Sequence, residues 1–164
     1  MILTPHIIVG AVIGAKIHNF WLIAILGLLS HFILDKIPHW DYTQAIKKFL
    51  ATNKFKYLII FILKVFTDFV FGFIIAIIIF LNSALPFNSL QYILMGVLFS
   101  ILPDVVLGTS FLFKNSIIAQ KYFVFHKKYL HFKKESEKEG VITFLGIFSQ
   151  IIVIAISLLL LFVF

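Results

Sequence analysis

The sequence predicts an all-α membrane helix bundle of about five transmembrane helices, the first of them short, in a single domain over residues 1–164. Three observations predict it. Hydrophobic residues make up 62% of the chain and its mean hydropathy is +1.09, whereas soluble domains hold roughly 45–50% apolar residues. The apolar residues fall in runs long enough to cross a bilayer. Nearly all the Lys residues fall in two loops between these runs. The chain has no Cys, which excludes a disulfide framework and any thiolate metal site. The net charge is +7 and all 14 basic residues are Lys. A chain without Arg lacks the bidentate phosphate clamp, and no nucleic-acid partner is expected. Lys-rich loops instead suit anionic headgroups, so membrane lipid is the expected partner. The N-terminal residues lack the basic start of a signal peptide and are expected to be retained.

The elements follow in order. Residues 5–17 read as a short helix, with Thr4 as N-cap and Pro5 at the first helical position. Gly10 and Gly14 give it a face for close helix approach, with Gly27 on the next helix as a possible receiver. The segment reaches only about 20 Å, so it reads as a half-spanning or tilted hairpin arm. His18 and Asn19 turn the chain, and residues 20–37 run back. Residues 38–56 are a polar loop in which 42–50 can lie as an amphipathic surface helix. Helices follow at 57–81, 89–108 and 141–164, with a second polar loop at 114–140. Both Lys-rich loops then fall on one side, which positive-inside reasoning makes cytoplasmic, together with the N-terminus.

This topology sorts the ionisable residues. Ser30 to Tyr42 holds His31, Asp35, His39 and Asp41 at the end of an apolar run. His31 and Asp35 are four apart and share a helix face. Pro38 turns the chain so that His39 and Asp41 can fold back. His6, Asp104, His126 and His131 fall on the same side, and Asp68 lies deeper in the adjoining half-membrane. A hydrolytic metal centre needs such gathering, with several ligands from separate helices and an open position. Asp and neutral imidazole suit Zn, with Mn or Fe as alternatives.

Each part also has a plainer reading. The Ser30–Tyr42 cluster can be an interfacial cap. His126 and His131 are five apart, so they do not share a helix face and can belong to a basic surface helix. Lys64 and Asp68 are an i,i+4 pair that can neutralise each other. Pro103 can be a simple kink, but Asp104 directly after it is costly inside a span.

Thr4-Pro5-His6, the Ser30-His31-x-x-x-Asp35 step, Pro38-His39-x-Asp41 and Pro103-Asp104 together resemble the inner-membrane metal-dependent hydrolases. That family includes LexA-regulated membrane hydrolases and is distantly similar to zinc-dependent phospholipase C and P1-type nucleases. The resemblance covers residues 4–41 and 98–105, and the rest only in hydropathy. It implies a metal site more firmly than a reaction. The His-Arg-x-x-Thr-His-Ser segment of many relatives has no counterpart in this Arg-free chain, and His126 and His131 are the candidates to take its place.

The expected function is a phosphoesterase at the cytoplasmic face of the inner membrane, acting on a lipid or other membrane-delivered substrate. His31, Asp35, His39 and Asp104 are the expected ligands, with His6, His126 and His131 as further candidates. Asp41 or Asp68 is the candidate general base. A small ion- or proton-coupled transporter and a non-catalytic scaffold are the competing readings.

Overall fold

The computed structural model of the chain describes residues 1–82, 85–110, 116–126 and 143–163. These residues form seven helices and, among them, no strand. They are α1 (Leu3–Lys16), α2 (Phe20–Leu34), α3 (Thr43–Thr52), α4 (Phe55–Asn82), α5 (Ser89–Ser110), α6 (Ile117–Phe125) and α7 (Phe144–Val163). Of these, α4, α5 and α7 are long and apolar enough to cross a membrane, and α1 and α2 are shorter apolar helices.

The short first helix is the middle of the bundle: α1 packs against α2, α4, α5 and α7. Its glycine face meets α5, not Gly27. A Cβ at Gly10 would collide with the Gly96 carbonyl and Ser100 Oγ, and one at Gly14 with the Tyr92 carbonyl. Gly96 returns the approach, because its own Cβ would strike the Gly10 carbonyl. Small residues on both partners bring two backbones together, which is how helices gain packing where lipid offers no hydrophobic drive. Gly27 also presses on α5, at Phe99 and Ser100. Helix α5 therefore receives both α1 and α2. The buried core lies along this seam and includes Ile7, Ile8, Ala11, Ile79, Ile93 and Val97.

Helix ends depart from expectation for identifiable reasons. Thr4 does not cap α1; the N-cap is Ile2, with no side-chain bond of its own. Asn19 caps α2 by accepting from the Leu22 amide at 3.1 Å. Helix α2 stops at Leu34, short of residue 37, because Pro38 drives its predecessor out of helical space. Helix α3 buries Ala45 and Ile46, exposes Lys47 and Lys48, and packs along α4. It ends on Asn53 in the left-handed region at φ 51°, a conformation Asn tolerates. Helix α6 stands inside a stretch that the sequence presents as polar loop.

The contacts also set directions. Gly10 lies beside Gly96 and Gly14 beside Tyr92, so α1 and α5 run antiparallel. Thr4 lies beside Asp68 and Ile7 beside Gly72, so α1 and α4 run parallel. The start of α1, the end of α2 and the late turns of α5 therefore meet at one end of the bundle.

Candidate metal centre

His31 and Asp35 meet as their spacing requires. His31 Nε2 lies 3.2 Å from Asp35 Oδ2. Helix α5 adds Asp104, whose Oδ1 is 3.9 Å from His31 Nε2. Directly after α6 comes His126, with Nε2 3.6 Å from Asp35 Oδ2 and 3.9 Å from Asp104 Oδ1. One donor atom from each of these four residues lies within 4.8 Å of all the others, a grouping that could hold a metal ion. His31, Asp35 and His126 are buried, while the Asp104 side chain is 21% exposed. Access to the group is thus on the Asp104 side.

The hydrogen bonding of His31 bears on what the group can hold. Its Nδ1 lies 2.8 Å from the Ser100 carbonyl oxygen. A carbonyl can only accept, so Nδ1 carries a proton and donates. In neutral imidazole, Nε2 is then a lone pair facing two carboxylate oxygens. Acceptors facing one another in a dry site repel, so this arrangement calls for a cation among them or a second proton on the ring. A ring nitrogen held by a carbonyl, with the other turned to a donor cluster, is also how proteins orient metal-binding histidines.

The two oxygens of Asp35 face different neighbours. While Oδ2 faces His31 and His126, Oδ1 lies 2.6 Å from the Met1 amino group and 3.3 Å from His6 Nε2. His6 is fully buried and stacks on His31, with centroids 4.3 Å apart and planes at 25°. It adjoins the four-donor group without belonging to it.

The remaining sequence candidates are placed differently. His39 is outside the group, with its Nδ1 2.6 Å from the Ile37 carbonyl oxygen. Asp41 is also outside it, although its charge reaches Asp104. His131 lies outside the described residues. Asp68 is not in the group, and its carboxylate serves the start of α1 instead. It accepts from the Leu3 amide, from the Thr4 amide at 3.2 Å and from Thr4 Oγ1 at 2.6 Å. The expected Lys64–Asp68 pairing is not formed; Lys64 is exposed while Asp68 turns to α1.

Several supporting residues escaped the sequence reading. Gln150 and Ser149 of α7 hold the segment after α2: Gln150 Nε2 donates to the Trp40 carbonyl at 3.1 Å, and Ser149 Oγ donates to that of Pro38 at 2.5 Å. A lone amide in an apolar helix was the available signal. Tyr122 of α6 donates to the Pro103 carbonyl at 2.9 Å and so ties the His126-bearing segment to α5. Burial, then the charges of Asp104 and Asp35, push the Tyr122 phenol above its ordinary pKa and keep it a donor.

Comparison with known proteins finds no matching family, no matching curated protein and no matching solved structure.

Proposed function

We propose that the chain is a membrane-embedded metal-dependent hydrolase, a phosphoesterase acting at the cytoplasmic membrane face on a lipid or other membrane-delivered substrate. One observation carries the metal: a His31 ring whose Nδ1 donates to a carbonyl while Nε2 faces Asp35 and Asp104, with His126 closing the group. His31, Asp35, Asp104 and His126 would hold the ion, and their mixed N and O donors fit Zn, Mn or Fe. When bound, such an ion acidifies water and draws charge from a phosphoryl oxygen. Asp104, the exposed member, is where water and substrate would enter. Asp41 is the carboxylate proposed to accept the proton of the attacking water.

Hydrolysis itself is supported by the motif resemblance to inner-membrane metal-dependent hydrolases. The membrane-delivered substrate is supported by the exposed Lys36, Lys47, Lys48, Lys54 and Lys56 around the segments after α2. These would sit on anionic headgroups and put that side in the cytoplasm.

The test is elemental analysis of purified protein beside His31→Ala and Asp35→Ala, with phosphoester hydrolysis followed in detergent. We expect about one to two transition-metal ions per chain in the wild type. Each variant should lose at least about nine-tenths of the metal and the activity with it. Full metal content in both variants sinks the site, and metal without hydrolysis of any phosphoester sinks the reaction.

A further inference from the structure

Helix α1 arrives at the centre without a cap of its own. The first backbone amides of a helix have no partner within it. Here Ile2 offers no side-chain acceptor, and Pro5, inside the first turn, has no amide to satisfy. That leaves the Leu3 and Thr4 amides, and both are taken by Asp68 Oδ2 from α4. Thr4, which sequence alone would make the cap, spends its hydroxyl on the same residue; Thr4 Oγ1 donates to Asp68 Oδ1 at 2.6 Å. A negative charge is also favoured by the dipole at this end of a helix. Tyr42, which directly follows Asp41, also faces the Asp68 carboxylate. Burial, then the charge of Asp68, raise the Tyr42 phenol above its ordinary range, so it stays protonated.

We infer that Asp68 is a positioning residue for the metal centre: it fixes the start of α1, and so sets where His6 meets Asp35. His6 lies two residues beyond Thr4, fully buried, with Nε2 3.3 Å from Asp35 Oδ1. The same carboxylate faces Tyr42, at the end of the segment that follows Asp35. One side chain on α4 thus sets both chain segments that flank the centre. Both oxygens accept from α1, which favours positioning over proton transfer for Asp68. The inference rests on the reading of the centre as a metal site, but its test does not.

The test uses the full chain in detergent and reads two properties. The first is carbethoxylation of His6, mapped by mass spectrometry, with exposed His18 as internal reference. The second is metal affinity. Asp68→Leu should raise the His6 rate at least about tenfold and weaken metal binding by about 10–100-fold, the usual cost of losing a residue that orients a ligand. Asp68→Asn keeps an oxygen for the Leu3 and Thr4 amides and should stay within about threefold of wild type on both readings. A residue that only adds global stability would not give this split between Leu and Asn at unchanged helix content. If Asp68→Leu does not fold, Thr4→Val is read the same way, with a rise of about threefold expected at His6. His6 still protected in the folded variant, or metal affinity unchanged in a protein that binds metal, overturns the inference. If the wild type binds no metal, the metal reading falls, and His6 protection alone decides the role of Asp68.

Discussion

Helices α1 and α4 are both apolar and run side by side, yet they are built for different surroundings. In α1, ten of 14 residues are buried; in α4, only three of 28. The difference follows side-chain size, since the less apolar helix is the buried one. Gly10, Ala11, Gly14 and Ala15 let neighbours close around α1. Ile59, Ile62, Phe66 and Phe71 of α4 point outward, and only Gly72, Ala76 and Ile79 form a buried face. Small residues thus mark the inner helix and large ones the lipid-facing wall, and the outer helix is the more apolar of the two on average. The inner helix carries His6 to the centre, and the outer one carries the carboxylate that caps it.

The contrast can be broken most severely at the α1–α5 crossing. Gly96→Val should be the most damaging change, because its Cβ would meet the Gly10 backbone, which cannot yield. Overpacking of this kind costs about 1–3 kcal/mol or more. Thermal unfolding in detergent should show a large fall or no folded protein, and an unchanged midpoint would refute the close crossing. A smaller loss is expected at Gln150→Leu, which removes the donor to the Trp40 carbonyl. A buried acceptor left without its donor costs about 1–3 kcal/mol, and metal content should fall with the loosened segment after α2. Stability and metal both at wild-type level would show that α7 does not hold that segment. The smallest effect is expected on the outer helix. Lys64 is exposed and does not pair with Asp68, so Lys64→Leu should change stability by no more than about 0.5 kcal/mol and leave metal content alone. A clear loss of metal in this variant would restore the ion pair that the geometry denies.

Much of the fold was legible because apolar runs and their breaks are local properties. The five apolar helices, the turn at His18–Asn19 and the i,i+4 pairing of His31 with Asp35 can be read from spacing alone. What could not be read depends on partners distant in sequence. The glycines of α1 announce a close contact but not its recipient, which proved to be Gly96 and not Gly27. Thr4 has the chemistry of a cap, and nothing local tells that Asp68, 64 residues away, supplies it instead. His39 has the spacing of a ligand but lies outside the group, while His126 enters it from a stretch rich in Lys. Helix α6 is itself largely apolar, from Ile117 to Phe125, and was masked by the Lys-rich run that follows it in the sequence.

The length of α4 has a last consequence. At 28 residues it is about 42 Å long, against a hydrocarbon core of about 30 Å. Phe55 and Leu81, near its two ends, are 71% and 70% exposed. A helix longer than the core can lean, kink or locally thicken the bilayer to fit. Asp68 lies about 20 Å along the axis from Phe55, and on a leaning helix that path would descend by less. The start of α1, and the centre beside it, would then stand closer to the headgroups than residue counting implies.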